Sequence, residues 1–144
     1  MPKQVYYEDV EEGMEITPLE RTPSTTTLVK WAGASKDWNP LHFDKDFAQG
    51  LGFKGVIVHG RIKAAYLAQL ISDWIGNEGV FKKLSLQYRG NDFPGDKITC
   101  KGKVTKKYVQ DGEHYVECEI WTENPEGART TPASAVVVLP SRGG

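Results

Sequence analysis

The fold of this chain depends most on residues 61–75, which read RIKAAYLAQLISDWI between Gly60 and Gly76. Apolar residues appear on nearly every side of a helix drawn through this stretch. Such a helix is expected to be buried by its neighbours and not laid on a surface. Its length of about four turns is too short to cross a bilayer. The stretch therefore predicts one buried helix that ends at a glycine, with the rest of the domain packed around it.

The second half of the chain changes from helical spacing to alternation. Apolar residues occupy every second position in three segments, residues 84–88, 98–104 and 116–120. Each segment is typical of a half-buried strand. Residues 133–139 are apolar apart from Ser134 and predict a further strand in the interior of a sheet. Turn signals, Asp-Gly at 111–112 and Asn-Pro-Glu-Gly at 124–127, separate these later strands.

The first part of the chain predicts smaller elements. Residues 13–19 favour a first strand, and the hydroxyl-rich residues 24–27 favour the start of a short helix. That helix should end near Lys36, because Pro40 disfavours a helical conformation at Asn39. Residues 44–49 suit another helical turn. The order of elements predicts an antiparallel sheet around a single long helix, in one α+β domain over residues 1–144.

Composition narrows the classes of function. The 144 residues are 39% hydrophobic and 26% charged, which is typical of a globular domain. The balance of 18 basic against 19 acidic residues argues against a nucleic-acid partner. Cys100 and Cys118 lie on the apolar phase of two strands and are expected to be buried thiols, not metal ligands. The absence of a long apolar run and of a signal-peptide pattern predicts a cytoplasmic protein without membrane association.

Residues 37–42, Asp-Trp-Asn-Pro-Leu-His, are the segment most able to carry chemistry. They place a carboxylate and an imidazole five residues apart across a turn that Pro40 stiffens. A carboxylate and an imidazole around one water can move protons at neutral pH. The spacing alone leaves a second interpretation open, in which Asp37 caps a helix end and His42 is an ordinary packed or surface residue.

A family resemblance adds to this interpretation. Residues 31–42, WAGASKDWNPLH, resemble the signature of the MaoC-like, or hydratase-2, family, whose core is Asp-x-Asn-Pro-x-His. The resemblance continues through residues 55–60, GVIVHG, where the family enters its central helix, and extends to FPGD at residues 93–96. It covers residues 24–105, and its specific part lies in residues 31–60.

The resemblance implies a hot-dog fold, in which a curved antiparallel sheet wraps one long helix, and a side-by-side pairing of two such units. It also implies acyl-thioester substrates, with hydration of a 2-enoyl thioester or dehydration of a 3-hydroxyacyl thioester as the reaction. Asp37 and His42 would hold the water and pass protons, and Asn39 would support their loop. The N–H of Gly60 would receive the thioester oxygen, a role that suits the free amides and partial positive charge of a helix N-terminus.

The chain departs from the family pattern at three positions. Lys36 stands where the family commonly has glycine, so the approach to the loop is expected to differ. Arg61 and Lys63 stand where apolar residues are usual. They are expected either to reach the surface or pair with acids, or to meet an anionic acyl group or a coenzyme phosphate. His59 is expected to cap or pack near the helix start and is retained as a candidate substrate-binding residue.

Further expectations concern partners and rival functions. No metal and no cofactor is expected beyond the coenzyme A or acyl carrier protein that carries the substrate, and a homodimer or larger homo-oligomer is expected. One rival is a hot-dog acyl-thioesterase, against which the Asn-Pro-x-His loop argues. The other is a non-catalytic acyl-thioester-binding subunit of a hetero-oligomer, against which the intact Asp37/His42 pair argues.

Overall fold

The computed structural model describes residues 3–143. Within that range the chain forms three α-helices and one five-stranded antiparallel sheet. Along the chain the elements are β1 (Glu15–Arg21), α1 (Thr25–Ser35), α2 (Lys45–Gly50), α3 (Gly60–Ile75), β2 (Val80–Leu86), β3 (Ile98–Gln110), β4 (Glu113–Glu123) and β5 (Arg129–Leu139). Two single 3-10 turns, Tyr7–Asp9 and Pro40–His42, complete them. The α+β class predicted from the sequence is confirmed.

The sheet has the strand order β1-β3-β4-β5-β2, and every neighbouring pair is antiparallel. The Asp-Gly signal at 111–112 forms the tight turn between β3 and β4, with positive φ at both residues. This turn chemistry matches the twist of the strands that it joins. Each strand pair also contains a register shift. Such irregularities bend and twist strands, which allows the sheet to wrap around α3.

The central helix α3 begins at Gly60 and ends at Ile75, as the sequence predicts. It contacts all five strands of the sheet. Leu67, Leu70 and Ile71 are buried in the main core, together with residues from β1, β3, β4 and β5. The helix is therefore held by apolar packing on most of its circumference, which explains its all-round apolar sequence.

The predicted interior positions behave as expected in the later strands. Cys100 and Cys118 are free thiols at 0% and 2% exposure in the main core. Strand β5 lies between β4 and β2, so the mostly apolar segment 133–139 has a neighbouring strand on each side, as predicted. No helix of the described residues is both long and apolar enough to span a bilayer.

One boundary differs from the alternation pattern. Strand β2 ends at Leu86, so Tyr88 lies beyond it and not within a strand. The last pair of the β2–β5 ladder is Leu86 with Ala133, and the next residue of β2 would face Pro132, which has no N–H to donate to a ladder. Gln87 N still donates to Pro132 O at 3.0 Å, but the regular pairing stops there. The chain then turns into the segment that forms one wall of the site described next.

A second, smaller core positions that site. It consists of Leu28, Ala48, Val56, Val58, Ile62 and Ile98. Their burial fixes α1, α2 and residues 56–58 over the first turns of α3 and the start of β3. The loop between α1 and α2 is thereby held against the N-terminus of the central helix.

Candidate active site

The loop that carries Asp37 begins where α1 ends. Lys36 follows Ser35 with φ 63°, in the left-handed region. This conformation is usual for glycine at a helix C-terminus and costs energy for other residues. Lys36 is also the position at which the family that the sequence resembles commonly has glycine. The helix therefore ends at a left-handed residue, with some strain at Lys36.

Asn39 and Pro40 shape the turn between the two candidate catalytic side chains. Asn39 Oδ1 accepts a hydrogen bond from Leu41 N at 3.1 Å, which caps the 3-10 turn Pro40–His42. His42 N donates to the carbonyl oxygen of Asn39 at 3.0 Å. Asn39 thus supports the loop, as the resemblance implies, by bonding to the main chain.

His42 is oriented by the chain just before α3. Its Nδ1 lies 2.8 Å from the carbonyl oxygen of Ile57. Because a carbonyl oxygen only accepts hydrogen bonds, Nδ1 carries the proton in this contact. With Nδ1 engaged in this way, Nε2 is the ring nitrogen left to exchange a proton with a group in the cleft.

Asp37 and His42 line the same cleft, whose volume is about 260 Å³. The other lining residues are Ile57, Val58, Gly60, Arg61, Lys63, Tyr88, Gly90 and Asn91. A carboxylate oxygen of Asp37, a ring nitrogen of His42 and a ring nitrogen of His59 all lie within 4.8 Å of one another. The loop therefore brings the carboxylate and the imidazole together, on a scale that one water molecule can bridge.

His59 packs against the pair but does not cap the helix. It occupies the N-cap position of α3 without a side-chain cap bond and is 1% exposed. Its ring stacks on that of His42, with centroids 3.7 Å apart and planes at 22°. Its Nε2 lies 3.4 Å from the carbonyl oxygen of Asp37. Burial, followed by the neighbouring His42, lowers the pKa of His59, so this ring is neutral at neutral pH.

The composition of this triad would suit a metal ion, but its arrangement suits proton transfer better. The lone pairs of imidazoles lie in the ring planes, and two stacked rings direct them side by side, not toward one point.

Gly60 is the first residue of α3 and lines the cleft. The first amides of a helix have no partner within it, so they are available to an oxygen in the cleft. A Cβ added at Gly60 would lie 2.8 Å from a ring carbon of Tyr88. Glycine is therefore the residue that allows Tyr88 to approach the helix N-terminus closely.

The two basic residues of the first turn of α3 have different surroundings. Lys63 is 2% exposed, and its Nζ lies 3.0 Å from Asp92 Oδ2 and donates to Gly90 O at 2.9 Å. It thus pairs with an acid, one of the two alternatives left open by the sequence. Arg61 is exposed at the cleft. Asp92 was not predicted as part of the site, because its segment has no periodic pattern and its partner lies 29 positions earlier.

Comparison with known proteins adds independent information. The model of the MaoC like domain family matches residues 9–124. The (R)-specific enoyl-CoA hydratase of Rhodospirillum rubrum is 29% identical over 144 residues, with 96% of this chain and 94% of the relative covered. The enzyme of the same name from Aeromonas caviae is 32% identical over 123 residues, which cover 85% of this chain and 90% of the relative.

Solved structures of similar proteins have the same fold as this chain. An (R)-hydratase from A. caviae involved in PHA biosynthesis superposes with a TM-score of 0.83 at 27% identity, over 92% of this chain and 99% of that one. An R-hydratase from Pseudomonas aeruginosa gives a TM-score of 0.86 at 21% identity, over 96% and 88%, and shows the fold alone. The predicted hot-dog architecture is thereby confirmed.

Proposed function

The chain belongs to the MaoC-like domain family, and we propose on this basis that it hydrates 2-enoyl thioesters or dehydrates 3-hydroxyacyl thioesters. The relatives are named hydratases and a dehydratase, so the prediction of a hydro-lyase is confirmed. The observation that carries the proposal is the convergence of Asp37 and His42 on one cleft beside the N-terminus of α3.

The proposed mechanism uses a water molecule held between Asp37 and His42. One member of the pair takes a proton from the water as its oxygen bonds to the β-carbon of the enoyl group. The electrons of the double bond move toward the thioester, and negative charge develops on its oxygen. The N–H of Gly60 stabilises that charge. The pair then passes this proton to the α-carbon, which yields the 3-hydroxyacyl thioester and returns both side chains to their starting protonation.

The tautomer of His42 identifies the ring nitrogen that can take the proton of the water. Because Nδ1 is bonded to Ile57 O, Nε2 is the nitrogen that can exchange protons with the water. Asp37 supplies a second group of different basicity at the same place. Two groups at one water can take its proton and pass the same proton to the substrate, so the overall charge of the site is the same before and after the reaction.

The first experiment is an assay of the purified protein against a panel of 2-enoyl-CoA esters of increasing chain length. Hydration is expected to remove the absorbance of the conjugated thioester without releasing a free thiol. Release of thiol would favour the thioesterase alternative. Neither change, with any ester of the panel, would favour a non-catalytic binding subunit.

We further propose that Arg61 contacts the phosphate-bearing carrier of the substrate. It is exposed at the cleft, and no carboxylate of the described residues forms an ion pair with it. Arg61→Ala should raise KM for coenzyme A esters and leave kcat near the wild-type value, because the contact is made equally in the ground and transition states. Lys30→Ala, which removes an exposed cation on α1, is the control. An unchanged KM would contradict the contact.

A further inference from the structure

A buried ion pair lies beside the cleft and takes no part in the mechanism proposed above. The side chains of Lys63 and Asp92 are 2% and 0% exposed, and Nζ and Oδ2 are 3.0 Å apart. Removing two charges from water is costly, so a buried pair of this kind is weak support for stability in itself. Its position in the molecule is therefore more informative than its strength.

The pair joins three parts of the chain that meet at the site. Lys63 belongs to the first turns of α3 and donates to the carbonyl oxygen of Gly90 at 2.9 Å. Asp92 Oδ2 also accepts a hydrogen bond from Thr130 of β5 at 2.7 Å. The main-chain carbonyl of Asp92 accepts from Val58 N at 2.8 Å. One residue pair thus ties α3, the segment of residues 87–92 and the chain that leads into α3.

These three parts all contribute to the lining of the cleft. Gly60 of α3, Val58 of the chain that leads into it, and Tyr88, Gly90 and Asn91 of residues 87–92 all line the cleft. Val58 is adjacent to Ile57, whose carbonyl oxygen orients His42. A shift of Asp92 would therefore move the facing wall and also the chain that sets the direction of the His42 ring.

We propose that Lys63 and Asp92 are positioning residues for the reaction, a role that rests on the proposed function. The pair holds residues 87–92 against the first turns of α3 and so sets the width of the cleft opposite the Gly60 amide. Because Asp92 neutralises Lys63, the ammonium group is not a recognition site for an anionic acyl group. Displacement of reacting groups by about 1 Å is enough to cost roughly 100-fold in rate.

The test uses a double variant, Lys63→Met/Asp92→Leu. Lys63→Met alone would leave a buried carboxylate unpaired and could unfold the protein, whereas the double variant removes both charges. The matched control is Lys82→Met/Glu113→Leu, which removes a single exposed ion pair on the sheet. Both are assayed with a short, uncharged enoyl-CoA ester. The Lys63/Asp92 variant should lose about 10- to 100-fold in kcat with a much smaller change in KM.

Amide hydrogen exchange gives a second, activity-independent measurement. Loss of the anchor should accelerate exchange at Val58 and Gly90, whose amides bond to Asp92 O and Thr130 O. Exchange at Leu67 and Ile71, in the middle of α3, should stay unchanged. Unchanged exchange at Val58 and Gly90, or acceleration throughout α3, would overturn the anchoring role.

The kinetic outcomes separate this inference from the proposed function. An active wild type with an equally active Lys63→Met/Asp92→Leu variant would overturn the positioning role and leave the proposed function intact. A wild type that hydrates no enoyl thioester would overturn both. A folded double variant with low kcat, preserved KM and local loss of protection would support the inference.

Discussion

At the scale of single residues, the division of labour in the site follows from what each side chain touches. The main chain holds Nδ1 of His42 through Ile57 O, so one ring nitrogen remains for chemistry. Asp37 is held only through its backbone, at the end of a strained helix C-terminus. The position of the carboxylate therefore depends on the loop geometry that Asn39 and Pro40 impose.

Asp37→Asn and His42→Ala should each reduce kcat for hydration by about 10²–10⁴-fold while the protein stays folded. Asn keeps the shape of the Asp37 side chain and removes its charge and its capacity to accept a proton. The double variant should lose far less than the product of the two effects, because groups that act on one water fail together. Steady-state hydration kinetics and circular dichroism provide the measurement. Near-normal hydration by both folded variants would show that the assignment is wrong.

His59 should act through packing and not through proton transfer. His59→Phe keeps a flat ring against His42 and should retain most of the hydration activity. His59→Ala removes the ring from a fully buried position and should reduce both activity and thermal stability. Equal loss of activity in the two variants, at equal stability, would instead favour a direct chemical role for the imidazole.

His59 also predicts a pH dependence of stability. Its pKa in the folded protein is lowered, chiefly by burial, so the unfolded chain takes up the proton first as pH falls. The free energy of unfolding that this residue contributes is fully present above the unfolded pKa of about 6.5, and is lost as pH falls toward the folded pKa. His59→Phe should therefore weaken the acid sensitivity of the free energy of unfolding, measured by denaturant titration between neutral and mildly acidic pH.

At the scale of elements, the distance between the N-terminus of α3 and the segment after β2 determines the shape of the cleft. A methyl group at Gly60 would lie 2.8–3.0 Å from three ring atoms of Tyr88. Tyr88 is 52% exposed, so its ring can move and Gly60→Ala should fold. The moved ring should alter the cleft and reduce kcat by about 10- to 100-fold. Tyr88→Ala should relieve the clash, so Gly60→Ala/Tyr88→Ala should be more active than Gly60→Ala. Wild-type kinetics in Gly60→Ala would contradict this prediction.

The elements differ in how much of their structure could be predicted from the sequence. The bounds of α3 were predictable because glycines flank a stretch that is apolar on every side. The end of β2 was not, because it depends on Pro132 in a strand that begins more than 40 residues later. The roles of Asp92 and of the Ile57 carbonyl that orients His42 could not be predicted from the sequence either. Both act through contacts between distant segments that leave no periodic signal, whereas the Asp37–His42 spacing is local.

At the scale of the whole molecule, the expected association of two units remains a prediction. Several large apolar side chains are exposed near the candidate site: Trp38, Phe43, Phe47 and Leu51. Exposed apolar patches of this kind often mark interaction surfaces. Strand β2 also lies at one edge of the sheet, with Val80 48% exposed.

The protein should therefore form a homodimer or larger homo-oligomer in solution. Light scattering should give a mass of at least twice the 16.0 kDa of one chain. Activity per chain should fall on dilution if association completes the site. A stable and fully active monomer would contradict this expectation.

Because both cysteines are buried, their reactivity measures how often the sheet opens to solvent. Cys100 and Cys118 are the sole thiols of the sequence, in neighbouring central strands. Burial raises the pKa of each to about 12. Since the thiolate is the reactive species, an alkylating reagent can consume these groups only when β3 and β4 open to solvent. The rate of thiol alkylation therefore reports the frequency of rare openings of the sheet. A bound ligand that stabilises the closed state should lower this rate.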